Sequence, residues 1–322
     1  MKEHIKKTII FVIAALILYG ILFFIIKNRI INNYKVQIIM LVGINIILAL
    51  SLNLIIGFTG QLALGHACFM AIGAYTSAVL TVNFHMPFIV AIIAGGLAAG
   101  LAGFLIGLPT LRLKGDYLAI TTLGFGEIVR VIITNIDYLG GARGFVNIPP
   151  KSTFTWVYFA VVVTFLVIYN IIHSSSGRAM ISVREDEIAA EAMGINTTKY
   201  KIEAFVIGSF FAGVAGVLFA HLYMFIDPSG FTFMKSIEIV IFVVLGGMGS
   251  ITGSILSAGV LTVLSEFLRD FADYRMVFYS ILLIVMMLFR PQGLMGTKEF
   301  SLGFLKKKNK VGGEKNGTIK SK

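Results

Sequence analysis

The chain is poor in residues that support redox, metal and nucleotide chemistry. Among its 322 residues Cys68 is the sole cysteine, which excludes an intrachain disulfide. The five histidines are scattered without metal-ligand spacing, and no GxxxxGK segment followed by Ser or Thr is present to bind nucleotide phosphates. We therefore expect no metal, no cofactor and no catalytic residues, and any energy that the protein uses must come from an ion gradient or a partner.

Charge is also scarce, and long apolar runs take its place. Only 13% of the residues are charged and 57% are hydrophobic. Runs such as 154–172 carry no charge and suit a bilayer core about 30 Å thick. An open sheet cannot satisfy its backbone in lipid, and the short alternation of an outer-membrane barrel is missing, so we predict an all-α polytopic membrane protein.

The pattern predicts about ten transmembrane or re-entrant helices, some of them broken. Residues 60–82 are rich in glycine, and 117–136 carries two charges. Segments 236–250 and 252–268 are too short to cross comfortably at about 1.5 Å per residue. The predicted elements lie near 8–26, 36–56, 60–82, 88–108, 117–136, 154–172, 202–226, 236–250, 252–268 and 275–290.

The distribution of Lys and Arg predicts the topology. Residues 8–26 resemble a signal peptide, but no small-residue cleavage site follows, so we expect an uncleaved first span. With both termini in the cytosol, the inner loops hold most of the basic residues. The 173–201 loop and the carboxyl terminus then share a side only if 236–250 and 252–268 form an out-and-back pair. The inner basic residues before the tail are Lys2, Lys6, Lys7, Arg112, Lys114, Arg178, Arg184, Lys199, Lys201 and Arg290.

The apolar runs and the charge distribution divide the chain into two regions. Residues 1–297 form a transmembrane domain with a cytosolic loop at 173–201, and 298–322 form a Lys-rich cytosolic tail that we expect to be disordered. The tail either contacts anionic headgroups or serves only as a topology signal. The net charge of +11 is spread over loops and tail without an aromatic-basic surface, which argues against nucleic acid as a partner.

The 173–201 loop is charged and helix-forming. Residues 178–195 predict one short helix, with Glu185 and Asp186 near its start and a stop at Gly194. An isolated helix of this length is marginal in water, so it should pack on something. It could pack on the cytosolic ends of its own chain, but we favour docking to a separate subunit.

Two sets of residues inside the apolar runs could serve transport. Small residues along 57–75 permit close helix approach, and Gln61, Gly65 and His66 are candidates for the substrate path; tight packing with internal hydrogen bonds is the alternative. Glu127 and Arg130 lie three residues apart on one helix face. Each charge costs about 2.5–3.5 kcal/mol at mid-bilayer, so we expect a pair that faces the protein interior, for structure or for gating.

Part of the loop resembles the coupling segment of ABC importer permeases. That pattern is Glu-Ala-Ala, three residues and Gly, which Ala189, Ala190 and Gly194 match, whereas Ile188 replaces the glutamate. The resemblance makes Arg184, Glu185, Asp186, Ala189, Ala190 and Gly194 the candidate residues for coupling to an ATPase.

The chain as a whole resembles the branched-chain amino acid ABC transporter permease family. The matching segments are GFTGQLALGHACFMAIGAY (57–75), RLKGDYLAITTLGFGEIVR (112–130), GGARGFVNIP (140–149), SGRAMISVREDEIAAEAMGI (176–195), VVLGGMGSITGSILSAG (243–259) and RPQGLMG (290–296). This resemblance implies a bacterial inner-membrane permease subunit with an amino acid substrate. Its implied partners are a second permease, two cytosolic ATPases and an extracytoplasmic substrate-binding protein.

Other functions stay open at this point. Urea and short-amide permeases are similar enough to be alternatives for the substrate. An ion-coupled secondary carrier is an alternative mechanism, with Glu127 as its best central titrating group. A passive channel is disfavoured because the sequence has no visible filter or charged ring.

Overall fold

The computed structural model describes residues 2–28, 31–110 and 115–268, and a few single positions between 277 and 294. Within these residues the regular structure is helical apart from an isolated antiparallel bridge between Phe145 and Ile226, which confirms the all-α prediction. The α-helices are α1 (Lys2–Lys27), α2 (Asn33–Thr59), α3 (His66–Val82), α4 (Phe88–Thr110), α5 (Asp116–Asn135), α6 (Phe154–Ile172), α7 (Ser175–Glu185), α8 (Glu187–Ala192), α9 (Thr197–Tyr223), α10 (Phe233–Gly246) and α11 (Ile251–Phe267).

Among the described residues, five helices are long and apolar enough to cross a membrane, as a multi-pass protein requires: α2, α4, α5, α6 and α9. Residues 15–27 of α1 and the whole of α3 and α11 are apolar but shorter. The predicted span 275–290 and the segment 290–296 lie mostly outside the described residues. The tail 298–322 lies wholly outside them, as do Arg112 and Lys114.

Several predicted boundaries were wrong, and a backbone or capping feature explains two of them. The element predicted at 60–82 begins only at His66, because Gly60 adopts φ +70° and ends α2 there, leaving 60–65 without helix. The element predicted at 202–226 begins earlier, at Thr197, because the Asn196 side chain caps the helix by accepting a 3.0 Å hydrogen bond from the Lys199 amide. Polar residues in that first turn concealed the helix start, because the apolar run begins only after them.

Small residues let the central helices touch through their backbones. A Cβ atom on Gly73 of α3 would lie 2.2 Å from the Gly213 carbonyl oxygen of α9. A Cβ on Gly216 of α9 would lie 1.9 Å from the Met70 carbonyl oxygen of α3. The predicted close approach of helices along 57–75 is therefore present, and α2, α3, α4 and α9 form the centre of the bundle.

The bundle has two ends that matter for function. The loop end carries α7 and α8, the gap between α2 and α3, and the turn between α10 and α11. Asn53 of α2 forms hydrogen bonds to that turn. The opposite end carries the start of α2 and the end of α11, where Tyr34 donates a hydrogen bond to Glu266. The α10–α11 hairpin thus leaves the opposite end and returns to it, as the predicted out-and-back pair requires.

Candidate coupling site and transport path

The loop between α6 and α9 forms two helices, so the prediction of one helix over 178–195 was wrong. The backbone of Asp186 is extended (φ −157°, ψ 109°) and interrupts the helix between α7 and α8. Its carboxylate accepts hydrogen bonds from the amides of Ile188 (2.9 Å) and Ala189 (3.0 Å). Asp186 is therefore the N-cap of α8, and the capping bonds favour a second helix start over continuation of the first. The predicted stop is in place, because Gly194 has φ +81°.

The end of α7 is attached to the membrane helices by Arg184. Its Nη1 donates a 2.7 Å hydrogen bond to the Gly57 carbonyl oxygen in the last turn of α2. Its Nε also donates to the Glu185 carboxylate at 3.1 Å, and Glu185 itself is largely exposed. The predicted coupling residue Arg184 thus faces inward, onto the point where α2 ends.

Asn53 connects the same part of α2 to the α10–α11 turn. Its Nδ2 donates to the Ser250 carbonyl oxygen at 3.0 Å, and its Oδ1 accepts from the Gly249 amide at 2.9 Å. A Cβ on Gly249 would lie 2.6 Å from Arg184 Nη1, so the turn also lies directly beside the arginine. We call Asn53, Gly57, Arg184, Gly249 and Ser250 the junction, because they join α7 to both breaks in the membrane helices.

One side of the short helix α8 is hydrogen-bonded to α9, and its other side is exposed. Lys201 of α9 donates a 2.6 Å hydrogen bond to Glu187, and Thr197 donates a 2.7 Å bond to Glu191. Ala190 is buried against the chain, whereas Ala189 and Gly194 are exposed. Ile188 and Met193 are 74% and 82% exposed, an unusual exposure for large apolar side chains on a polar loop.

Gln61 and His66 are buried and bonded inside the chain. Gln61 Nε2 donates to Thr59 Oγ1 (2.8 Å) and to the Lys201 carbonyl oxygen (3.2 Å), which ties the 60–65 segment to the start of α9. His66 Nε2 is 2.8 Å from Ser51 Oγ. Neither side chain lines a described cavity, so this conformation supports the packing alternative, and substrate contact by either stays a prediction.

Gly65 and the charge pair meet at narrow clefts between α3, α5 and the turn at 228–231. Gly65 and Glu127 line one cleft, and Arg130 lines its neighbour. Arg130 Nε donates to Glu127 Oε2 at 2.7 Å, and about a third of each side chain is exposed (34% and 37%). The two charges are therefore paired as expected, but they lie at the edge of this subunit and are not enclosed within it.

Several polar residues of this region were missed from the sequence. Asn45, Ser51 and Asn53 lie in the fully buried half of α2, and all three make hydrogen bonds to other elements or within the helix. The sequence does contain a signal for them, since a polar side chain in an apolar helix is costly in free energy unless it has a hydrogen-bond partner. Charged and Gly-rich segments stand out more strongly in the sequence and drew the prediction away from these residues.

Comparison with known proteins gives a consistent result. Residues 34–289 match the family model described as branched-chain amino acid transport system / permease component. The chain is 40% identical to the high-affinity branched-chain amino acid transport system permease protein LivM of Escherichia coli K12, over 70% of this chain and 62% of that protein. BraD of Pseudomonas aeruginosa is 40% identical over 43% of this chain and 47% of its own length. Escherichia coli LivH is 32% identical over 48% and 50%.

The match to LivM of Salmonella typhimurium likewise spans 62% of that protein. The chain therefore covers less than two thirds of these relatives. No solved structure matches the chain.

Proposed function

The chain belongs to the branched-chain amino acid transport system permease family, and from this premise we propose that it is one transmembrane subunit of an ATP-driven ABC importer. The importer moves branched-chain or similar amino acids into the cell across the bacterial inner membrane. The other components are a second permease subunit, two cytosolic ATPases and an extracytoplasmic substrate-binding protein. The presence of both LivM and LivH among the relatives supports a pair of related but different permeases.

The junction is the observation that supports this function best. A transport subunit driven by an external ATPase needs a docking element that is mechanically connected to the helices that move. Arg184 supplies that connection, because one guanidinium bonds the end of α2 and also lies against the α10–α11 turn. A displacement of α7 is therefore transmitted to both breaks in the membrane helices.

The exposed side of α8 is the proposed docking surface for the ATPase. Ile188 and Met193 provide apolar contact, and Glu185 adds exposed negative charge beside them. Apolar anchors surrounded by charges are typical of protein interfaces, where the charges contribute mainly specificity and association rate. This assignment places α7, α8 and both termini in the cytosol, in agreement with the distribution of basic residues.

Alternating access would then proceed around the two breaks. ATP-driven closure of the ATPases pushes α8 and α7, and the junction carries the motion to α2 and to the α10–α11 hairpin. The Glu127–Arg130 pair lies at the subunit's edge, where a second permease can cover it. On this proposal the charge pair becomes enclosed only in the assembled transporter.

The test is ATP-dependent leucine uptake by proteoliposomes that contain the full complex. Arg184→Ala should reduce uptake at least tenfold while the ATPases still co-purify, because the α8 surface is unchanged. Arg178→Ala, on the exposed side of the same helix, is the matched control and should retain uptake. Ile188→Glu should instead remove the ATPases from the purified complex.

Three results would overturn the proposal. Uptake that follows a proton or sodium gradient without any ATPase would indicate a secondary carrier. ATP-dependent uptake of labelled urea or a short amide, without uptake of leucine, would move the substrate to that class. Equal uptake by the Arg184 and Arg178 variants would remove the junction from the mechanism.

A further inference from the structure

A cavity of about 450 Å³ lies at the opposite end of the bundle, between α2, α9, α10 and α11. Its volume falls within the range of small-molecule sites, roughly 300–1,000 Å³. It is lined along one face of α2 from Tyr34 to Asn45, which at 1.5 Å per residue is a depth of about 16 Å. None of its lining residues belongs to the junction or to the Glu127–Arg130 clefts.

The polar groups of the cavity have mixed sign. Lys235 and Glu238, in the first two turns of α10, form an ion pair at 3.1 Å with side-chain exposures of only 17% and 15%. Glu266 of α11 also lines the cavity and accepts a hydrogen bond from Tyr34. A cation and two carboxylates around one cavity suit a ligand that carries both charges.

The inner part of the cavity retains unused hydrogen-bonding capacity. Asn45 is only 3% exposed, and its Nδ2 donates to Thr262 Oγ1 at 2.9 Å. Its Oδ1 has no hydrogen-bond partner, nor does Ser265 Oγ in the last turn of α11. Unpartnered buried oxygens are uncommon in native proteins and accept a donor from a ligand or a water.

Part of the remaining lining is apolar. Ile38, Leu41 and Phe219 lie between the charged residues and the deeper polar groups. Burial of an aliphatic side chain there would contribute affinity, while the charged groups fix the ligand's orientation. The cavity thus combines the two features that an aliphatic α-amino acid requires.

We propose that this cavity is the site at which the permease receives a free zwitterionic α-amino acid from the opposite side of the membrane. The substrate carboxylate binds Lys235, its ammonium group binds Glu238 and Glu266, and its aliphatic side chain packs on Ile38 and Leu41. On binding, the Lys235–Glu238 ion pair is exchanged for two pairs with the ligand. This inference rests on the proposed function and adds a location and a recognition chemistry to it.

Substrate protection of a single thiol tests the site without the binding protein. Cys68→Ala removes the native thiol, and Gln37→Cys places one in the cavity wall. In the assembled complex, saturating L-leucine should slow modification of this thiol by an external, membrane-impermeant thiosulfonate at least fivefold. N-acetyl-L-leucine, which lacks the ammonium group, should give no protection. Phe84→Cys, exposed in a loop at the same end, should react equally with and without leucine.

Charge variants then test the assigned contacts. Lys235→Gln and Glu238→Gln should each raise the leucine concentration needed for half protection, and the KM of uptake, at least tenfold. Lys151→Gln removes a lysine at the same end but outside the cavity and should behave as the parent. Leu41→Trp, which fills the cavity without changing charge, should abolish protection in a complex that still assembles.

The outcomes separate this site from the general function. If the parent complex takes up leucine but leucine gives no protection, the cavity assignment is wrong and the transport function stands. Unchanged KM in both charge variants, with normal assembly, would also overturn it. Absence of ATP-dependent leucine uptake in the parent complex would remove the proposed function, and the site with it.

Discussion

Replacing Asn53 with alanine should destabilise the subunit more than the small size of the asparagine side chain suggests. Asn53 is 1% exposed and makes both of its hydrogen bonds to the α10–α11 turn, one to Ser250 and one to Gly249. The change therefore removes the side chain that holds two non-adjacent parts of the chain together. It leaves Arg184 in place, so the effect isolates one half of the junction.

The magnitude follows from the two bonds and what remains after their loss. Interhelical hydrogen bonds in membrane proteins contribute on average about 0.6 kcal/mol each. The Ser250 carbonyl still accepts from Ser254, but the Gly249 amide is left without a partner, at a cost of about 1 kcal/mol for a half-buried group. The total is about 2 kcal/mol, or roughly a 30-fold change in the unfolding equilibrium.

Trp156, the single tryptophan, reports unfolding because its ring packs edge-to-face on Phe88 of α4 with centroids 5.5 Å apart. Equilibrium unfolding in mixed detergent micelles, followed by its fluorescence, gives the free energy of each variant. Ser77→Ala is the matched control, since this buried hydroxyl bonds only the Ala74 carbonyl of its own helix. A loss below about 0.5 kcal/mol for Asn53→Ala, or one equal to the control, would refute the reasoning.

Four further outcomes are expected. Glu127→Gln and Arg130→Gln should each lower the yield of folded complex more than the double change does. The coupling free energy should be at most about 1 kcal/mol, because each side chain of the pair is about a third exposed. Additive losses in the double variant would contradict pairing. Gly73→Leu should abolish folded protein, since a Cβ there would lie 2.2 Å from the Gly213 carbonyl oxygen. Its control, Gly124→Leu, should fold because nothing lies within 4 Å of a Cβ at that position. Equal yields of the two variants on immunoblots would contradict the backbone contact. Gly194→Val should destabilise the local backbone by about 1–2 kcal/mol because φ is +81° at this position, and it should therefore lower uptake. Gly194→Asn should retain more uptake, since asparagine tolerates a positive φ. Equal uptake by the two variants would contradict the helix stop. Ser175→Cys in a Cys68→Ala background should react with impermeant thiol reagents only from the cytosolic side, and labelling from outside would reverse the topology.

The sequence predicted the helices whose apolar runs are uninterrupted. Composition and run length were sufficient for α4 and α6, because lipid requires each spanning segment to satisfy its own backbone and to be apolar over nearly its full length. The short pair α10 and α11 was also predicted, since two segments too short to cross must return to the side they left. Boundaries failed where polar residues form part of a helix, as at Thr197, or where a cap divides one, as at Asp186.

The candidate site was only partly predictable. The candidate coupling residues were chosen from a local pattern, and their role stays a prediction. That pattern could not show that Arg184 faces the chain while Ile188 and Met193 face away. Gln61 and His66 were chosen because they are rare polar groups in an apolar segment. Their partners, Lys201 and Ser51, lie on other helices, and pairings between helices cannot be derived from spacing along the chain.

Arg184 also completes the last turn of α2, whose C-cap is Gly60. The last carbonyls of any helix have no partner within it. In α2 the amides of Gln61 and Gly60 serve the carbonyls of Ile55 and Ile56, and the next carbonyl, that of Gly57, is served by the arginine of α7. The final turn of α2 is thus completed by a cap supplied from a different helix. On the proposed mechanism, withdrawal of α7 would remove this cap, so a movement of the 173–201 loop would weaken the end of a membrane helix as well as displace it.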